Sequence, residues 1–539
     1  MKSETIRQAT DAHGWVGLII SVPLFIVFWA GAITLFYPEV YRWSAMPHFP
    51  IAETEEKLPV NAIVENHLNR DDFDNSRPLT VILPNDNSPY MELHIPIVDD
   101  ETAKTVKDAE GVEKKTHTAE DELTLNPHTG EVLTKEEPFQ LGNFINQLHF
   151  SFKLPQGLYI VGLITFFFFV IVITGIVIQL KNLIRHFFLY RHNKKTRYQM
   201  NDMHNVVGVV SLPYTLMYAL TGLMFNLHIV FEIPVLFLKY QGDTQVMFED
   251  AGFASTNPEL LNISHPMPNL DNLIDQVEQD KNAQIRSVTM YNYGDQNALI
   301  KFNGKSHDGF AKNIEASYEV STASFPEALN DKDNIFLDGI NVLFSMHYGN
   351  FAGLDMRFLY FILAVGVCGM IVAGNVLWIA KRQKQYQEYP KTIAVTRALT
   401  LGGCMGVMLA TAAAFLLERN LPVAVENRSD LIEMIFGMVL FVSALLAFFN
   451  KNFKRYIAHH CIAIAGVLLV LVGSDFVFFG QTILTLSTQG YPDTLGVTLS
   501  MILFATMFAW ISVLLLKERG NQSVISPNTP TSHAQTVSQ

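Results

Sequence analysis

The stretch DAHGWVG at residues 11–17 decides the fold, because it recurs as DMHNVVG at residues 202–208. Both stretches carry an acidic residue, a histidine two positions later and a glycine four positions after that histidine. The histidines, His13 and His204, stand 191 positions apart and each opens a long apolar segment. Glycines recur again eighteen positions past each histidine, at Gly31 and Gly222. This register predicts an internal duplication.

The second and fourth apolar segments also begin at a histidine. His149 lies in QLHFSFKLPQG (147–157), and His347 lies in SMHYGNFAG (345–353). Near the far end of these two segments stands a small residue followed by glycine, at 174–175 and 373–374. The repeated unit is therefore a helix, a large polar domain and a second helix. Parallel repeats of this kind predict a pseudo-twofold axis along the membrane normal.

The composition is that of a membrane protein. Of 539 residues, 49% are hydrophobic and only 17% are charged, which excludes a disordered chain and an ordinary soluble enzyme. About 20 helical residues cross a hydrocarbon core of about 30 Å, and eight blocks reach that length. We therefore predict a polytopic α-helical membrane protein with about eight transmembrane helices. The blocks are 14–37, 155–180, 205–231, 356–380, 398–417, 431–449, 457–480 and 494–516.

Lysine and arginine set the expected orientation. They are concentrated at 181–197, 381–397 and 451–455, so the positive-inside rule predicts that these loops and both termini are cytoplasmic. The long segments 38–148 and 232–346 then lie on the other side and carry most of the net charge of −13. This acidic balance argues against a nucleic-acid partner.

The predicted organisation follows from these two patterns. Each large segment is expected to be a separate α+β domain, with helices near 58–69 and 269–280, strands near 79–84, 90–95, 284–291 and 297–302, and a loop over 99–121. The boundaries are TM1 at 1–37, a first extracytoplasmic domain at 38–148, TM2 with a basic loop and TM3 at 149–231, a second extracytoplasmic domain at 232–346, TM4 at 347–385, a four-helix region at 396–518 and a disordered tail at 519–539.

Histidine is a common axial ligand of haem iron, and an ionisable residue at membrane depth suggests a functional site. The duplication decides the pairing, because a cofactor on the twofold axis takes one ligand from each repeat. His13 with His204 would form an inner site, and His149 with His347 an outer one. The four histidines thus predict two b-type haems, each with bis-histidine iron, in a membrane electron-transfer protein.

Other residues are weaker candidates. Gly17 and Gly208 lie on the face of their histidines, where a missing side chain would let a macrocycle approach. Helix packing is the alternative, but two such glycines in register favour the cofactor. Arg357 is predicted either to neutralise a haem propionate near the outer face or to serve as an interfacial anchor. His228 is a possible alternative ligand, although its counterpart in the first repeat is Tyr37.

The remaining motifs mostly exclude functions. The three cysteines, Cys368, Cys404 and Cys461, lie within apolar helices and predict no disulfide. No dinucleotide-binding glycine motif and no P-loop occurs. His459 and His460 find no other histidine in the last four helices. Because the sequence lacks a nucleotide-binding motif, electrons are expected from a separate cytoplasmic reductase or from quinol in the bilayer.

In these residues the chain resembles the PepSY-associated transmembrane proteins of bacteria, which include iron-regulated inner-membrane ferric-siderophore reductases. DAHGWVG, QLHFSFKLPQGLYIVG, DMHNVVG, MHYGNFAGLDMRF and the hairpin TLNPHTGEVL carry the resemblance, over roughly 1–385. It implies a dihaem four-helix core in the bacterial inner membrane, two periplasmic PepSY-like domains, and reduction of ferric siderophores for iron uptake. The family ligands would fall on His13, His149, His204 and His347. The four C-terminal helices depart from this minimal core.

Two other functions remain open on the sequence. A dihaem reductase of the same build would serve another periplasmic acceptor, such as a redox protein. A non-redox membrane protein would instead use its PepSY domains to bind peptides or inhibit proteases, or its last four helices to transport the siderophore. In that case the histidines would be interfacial anchors or metal ligands.

Overall fold

The computed structural model describes residues 3–51, 57–99, 104–107, 113–116, 119–135, 138–180, 184, 187–191, 196–250, 258–307, 310, 313–326, 335–349, 351, 353–382, 390–450, 452–488 and 491–517. The predicted tail and most of the basic loop 181–197 lie outside these residues. The described helices of the first repeat are α1 Ser3–Thr34, α2 Tyr37–Ala45, α3 Val60–Leu68, α4 Leu141–Phe150 and α5 Gly157–Gln179.

Within its described residues, the second repeat contains seven helices. They are α6 Thr196–Val210, α7 Leu212–Asn226, α8 His228–Lys239, α9 Thr244–Asp250, α10 Leu270–Lys281, α11 Ile335–Tyr348 and α12 Gly353–Arg382. The C-terminal region follows with α13 Pro390–Arg397, a π-helical turn Ala398–Gly402, α14 Gly403–Asn420, α15 Arg428–Phe449, α16 Phe453–Phe479, α17 Ile483–Thr488 and α18 Pro492–Lys517.

Seven of the described helices are long and apolar enough to cross a membrane, and an eighth span is a bent pair. The pair is α6 and α7, which meet at 67°. The block 205–231, predicted as one transmembrane segment, is therefore divided between two helices at a bend. Pro213 stands in the first turn of α7, where it has no N–H to donate to the preceding turn and its ring crowds a carbonyl of α6. Pro23, in the corresponding part of α1, lies inside an unbroken helix.

The membrane helices share one apolar core. α1 packs against α4, α5 and α12, while α6 packs on α12 and α7 packs on α5. The C-terminal helices join this bundle through glycine. A side chain at Gly403 would place its Cβ 2.7 Å from Val22 of α1, so only glycine permits this approach of the two helices.

The polar segments form one body. The strands β1 Leu79–Ile82, β2 Met91–Pro96, β5 Glu120–Leu125 and β6 Val132–Thr134 come from the first segment, and β7 Ala283–Tyr291, β8 Leu299–Ser306 and β9 Asn313–Glu319 come from the second. They pair as one antiparallel sheet in the order β6-β5-β2-β1-β7-β8-β9. Two domains are predicted, but the structure joins them at β1 and β7, where Val81 faces Val288.

Each polar segment contributes strands and one helix to the joined sheet and its core. One face is apolar in alternation and packs against α3 and α10. Each of these helices caps the other: Asp271 accepts hydrogen bonds from the backbone N–H groups of Val60 and Asn61, and Asn61 accepts one from Leu270. The hydrophobic faces of both half-domains are thus buried together. This shared core is why the two segments do not form separate domains.

One smaller prediction is also wrong. The charged stretch 99–121 is expected to be a loop, but its described part holds a two-stranded hairpin, β3 Lys104–Lys107 with β4 Glu113–Thr116. The hairpin stands apart from the large sheet.

Candidate functional site: two histidine pairs

The pair farther from the sheet is formed by the first and third membrane segments. His13 of α1 and His204 of α6 have ring centroids 6.2 Å apart and nearly perpendicular planes, at 87°. Nδ1 of His13 lies 3.0 Å from the Ile171 carbonyl oxygen and 3.2 Å from the Thr174 hydroxyl, both on α5. Nδ1 of His204 lies 3.1 Å from the Met370 carbonyl oxygen on α12. We call His13 and His204 the sheet-distal pair.

The second pair lies where the chain returns from the sheet to the helices. His149 near the end of α4 and His347 near the end of α11 have centroids 5.9 Å apart, with their planes at 52°. Nδ1 of His149 lies 2.8 Å from the Val27 carbonyl oxygen on α1. Nδ1 of His347 lies 2.7 Å from the hydroxyl of Thr221 on α7. We call His149 and His347 the sheet-proximal pair.

These hydrogen bonds fix the protonation pattern of the rings. A carbonyl oxygen can only accept, so His13, His149 and His204 must each donate from Nδ1–H. A neutral imidazole that donates from Nδ1 carries its free lone pair on Nε2. No Nε2 atom of the four rings has a hydrogen-bond partner among the described residues. An imidazole held in this way is oriented for a metal at Nε2.

The ring separations fit two axial ligands on one metal. A linear imidazole–metal–imidazole unit places its centroids about 6 Å apart, because each metal–nitrogen bond is about 2 Å and each ring adds about 1 Å. Both observed separations match this value. Among the described residues, no group of three or more histidine, cysteine, aspartate or glutamate side chains could hold a metal ion. Zinc takes three or four protein ligands, whereas haem iron takes one or two.

Three of the histidine rings pack closely against glycines of neighbouring helices. A Cβ at Gly31 would lie 2.7 Å from Nδ1 of His149, and one at Gly374 would lie 3.3 Å from Cε1 of His204. At Gly175 the corresponding distance to Cε1 of His13 is 3.5 Å. The sequence shows these glycines as repeat markers, but their role becomes visible only when the helices are packed.

The two glycines predicted to admit a macrocycle have different surroundings. A Cβ at Gly17 would meet nothing within 4 Å, whereas one at Gly208 would lie 3.3 Å from the sulfur of Met370. The open face at Gly17, one turn after His13, leaves room for a flat ligand beside the sheet-distal pair. At Gly208 a flexible methionine borders the same space. The histidine geometry and the open glycine face together fit a bis-histidine haem.

Arg357 and His228 do not join the pairs. Arg357 lies in an ion pair with Glu39 at 2.9 Å and donates to the Leu35 carbonyl at the end of α1. Its predicted propionate role therefore competes with a carboxylate already in contact. His228 is exposed at the start of α8, and its Nδ1 contacts the Phe225 carbonyl three residues earlier. The structure brings it to neither pair.

Sequence reasoning misses the side chains that surround His347. The Tyr218 hydroxyl donates to the His347 carbonyl oxygen at 2.6 Å, and its ring lies 4.7 Å from the imidazole. Phe225 adds a ring at 5.1 Å. The positions equivalent to Thr221 and Tyr218 in the first repeat are Ala30 and Val27, which have no hydroxyl group. A search for repeated residues therefore passes over them.

Sequence reasoning also misses two buried ion pairs in the C-terminal region. Arg419 contacts Asp475 at 2.5 Å, and Arg428 contacts Glu418 at 2.7 Å, with all four side chains almost fully buried. Both arginines also donate to backbone carbonyls outside that region, at Trp43 and at Pro138. Asp475, near the end of α16, is thus a buried partner of Arg419.

The helices define a multi-pass α-helical membrane protein, and its four histidines lie in two pairs of neighbouring rings. The sequence profile described as the PepSY-associated TM region matches residues 10–381. The chain belongs to this family, as its histidine-bearing stretches predict. A search of curated proteins found no match.

Proposed function

We propose that the chain carries electrons across a membrane on two b-type haems, one held by each histidine pair. The observation that carries this proposal is the shared arrangement of the four rings: Nδ1 is hydrogen-bonded, Nε2 has no partner among the described residues, and a second ring lies about 6 Å away. Haem iron with two histidine ligands exchanges single electrons with a nearby donor or acceptor. The protein holds and orients the imidazoles and surrounds them with packed helices.

The proposed orientation rests on the charge pattern. By the positive-inside rule, the basic stretches 181–197 and 381–397 favour a cytoplasmic position for the sheet-distal pair. The sheet-proximal pair then lies at the periplasmic side, beside the joined sheet. Electrons would enter from a cytoplasmic reductase or from quinol at the first pair and leave at the second.

The acceptor class is proposed from family membership. The family includes ferric-siderophore reductases, and the sheet-proximal pair would deliver one electron to a periplasmic ferric complex, reducing Fe³⁺ to Fe²⁺ and weakening its binding to hard oxygen ligands. Another periplasmic acceptor is the alternative within the same class. The non-redox alternative needs the histidines as anchors or metal ligands. Its metal-ligand form is disfavoured because among the described residues each pair lacks a third metal-binding side chain.

The deciding experiment is an absorption spectrum of the purified chain, oxidised and dithionite-reduced, with haem counted as the pyridine haemochrome. Two b-type haems per chain would support the proposal. A variant with all four histidines changed to alanine is the control, and it should bind none. Absence of haem from the wild-type chain, expressed with adequate haem supply, would refute it.

The acceptor is tested on the reduced holoprotein. Stopped-flow mixing with a panel of ferric siderophores should reoxidise both haems and produce Fe²⁺ that a ferrous chelator captures. Fast reoxidation by redox proteins but not by ferric siderophores would move the assignment to the alternative acceptor.

A further inference from the structure

The hydrogen-bond acceptors of the four histidines are not equivalent. His13, His149 and His204 donate from Nδ1 to backbone carbonyls of neighbouring helices. His347 instead meets a side chain, the hydroxyl of Thr221, at 2.7 Å. Thr174 also contacts Nδ1 of His13, but there the Ile171 carbonyl remains as an acceptor. Among the described contacts of the two pairs, only at His347 can a substitution therefore remove the acceptor of a proposed ligand without moving a backbone.

The Thr221 hydroxyl is oriented by a hydrogen bond within its own helix. It lies 2.9 Å from the Met217 carbonyl oxygen, one turn earlier in α7. A hydroxyl has a single proton, so when it donates to Met217 it accepts from Nδ1–H of His347. The relay His347–Thr221–Met217 thus leaves Nε2 of His347 unprotonated. Thr221 is almost fully buried, at 2% exposure, so water does not replace it.

In the first repeat, the equivalent histidine has a different hydrogen-bond acceptor. The counterpart of Thr221 is Ala30, and His149 uses the Val27 carbonyl instead. The counterpart of Val27 is Tyr218, whose hydroxyl donates to the His347 backbone. The sheet-proximal pair is therefore built from one carbonyl-anchored and one hydroxyl-anchored ring, whereas the sheet-distal pair is anchored by carbonyls on both sides.

We propose that Thr221 is a positioning residue that holds His347 in its ligating form through a hydrogen bond weaker than the carbonyl bonds of the other three ligands, which leaves the reduction potential of the sheet-proximal haem above that of the other. This inference rests on the proposed function. A hydrogen bond accepted from Nδ1–H makes an imidazole a stronger electron donor to its metal, which stabilises the oxidised form. A hydroxyl is a weaker acceptor than an amide carbonyl, so His347 supplies less of this stabilisation than the other three ligands. The resulting gradient favours electron flow toward the sheet.

The test is a spectroscopic redox titration of the holoprotein. Thr221→Val removes the hydroxyl and keeps the shape, so it should raise the potential of the component that His347→Ala depletes and leave the other component in place. Thr221→Ser should behave as wild type. Thr215→Val is the matched control, because Thr215 is also buried in α7 and, among the described residues, its hydroxyl donates to the Leu212 carbonyl of its own helix and contacts no histidine.

Each outcome separates this inference from the proposed function. Two haems with titration curves unchanged in Thr221→Val would overturn the role of Thr221 and leave electron transfer standing. Equal shifts in Thr221→Val and Thr215→Val would overturn it as well, since the effect would then be general. Thr221→Ala is the second variant if the valine form does not accumulate, because alanine already occupies the equivalent position at Ala30. A wild-type chain without haem would sink both proposals.

Discussion

His13 and His204 come from equivalent positions of two repeats, and their rings meet nearly edge to face at 6.2 Å. Each Nδ1 is held by a carbonyl of a different neighbouring helix, at Ile171 and at Met370. The two rings therefore form one site with two independently anchored halves. Loss of either ring should have the same consequence.

We predict that His13→Ala and His204→Ala each remove the same one of two haems. The reason is that each pair is expected to supply both axial ligands of one iron. The measurement is haem per chain together with the low-temperature spectrum of the remaining haem, which should be identical in both variants. His228→Ala is the control and should retain both haems, because its exposed ring lies at neither pair. Depletion of different haems by the two variants would contradict the pairing.

Gly31→Ala should selectively disturb the sheet-proximal pair. The added Cβ would lie 2.7 Å from Nδ1 of His149, so the ring must leave its hydrogen bond to Val27. Overpacking of this kind costs about 1–3 kcal/mol. We expect loss of the haem that His149→Ala removes, measured as haem per chain.

Gly466→Ala in α16 is the matched control for this substitution, because Gly466 is exposed and a Cβ there meets nothing within 4 Å. It should leave both haems bound. If Gly31→Ala retained both haems with unchanged spectra, the close packing of His149 on α1 would not matter for ligation.

Arg419 and Asp475 should contribute strongly to stability as a pair. Removing one partner of a buried ion pair leaves an uncompensated charge and costs about 3–5 kcal/mol. Arg419→Met should therefore lower the thermal unfolding midpoint in detergent markedly. The double variant Arg419→Met/Asp475→Leu should recover much of the loss, because it leaves no buried charge.

The comparison for this pair is Lys239→Met, which breaks an exposed ion pair with Asp250. Exposed pairs contribute about 0–1 kcal/mol, so its midpoint should remain close to wild type. Equal midpoints for Arg419→Met and Lys239→Met would show that the buried pair is not needed for folding.

His94 should make the joined sheet more stable in acid. Its ring lies between Glu92 and Glu120 on β2 and β5. Glu92 raises the pKa of His94 above its ordinary value of 6.5, burial opposes this in part, and Glu120 and Glu122 add to it. Because the folded pKa is the higher one, the stabilisation is complete below the unfolded pKa and is lost as pH rises through the folded pKa.

The measurement is the difference in unfolding midpoint between wild type and His94→Gln at about pH 5.5 and about pH 8.5, values that bracket an ordinary histidine titration. Wild type should be the more stable at the lower pH, and the difference should shrink at the higher one. A difference that is constant across this range would show that protonation of His94 is not linked to folding.

The sequence by itself determined the features encoded by short-range patterns. Runs of about 20 apolar residues make the membrane helices necessary, and the repeat of His13 at His204 predicts which rings pair. Local amphipathic patterns placed helices at 58–69 and 269–280, where Val60–Leu68 and Leu270–Lys281 are observed. These features depend on residues that are close together in the sequence, so they can be predicted without knowing which distant segments pack together.

Only the tertiary structure decided the features that depend on distant partners. The pairing of Val81 with Val288 joins two segments far apart in sequence, and no periodicity in either strand specifies it. The 67° bend between α6 and α7 divides a segment that hydropathy marks only as one apolar block. Likewise, the partner of Asp475 and the acceptor of His347 are set by which helices pack together. Hydrogen bonds and ion pairs between helices are selected by the cost of leaving buried polar groups unpaired, and that cost exists only once the fold has brought them together.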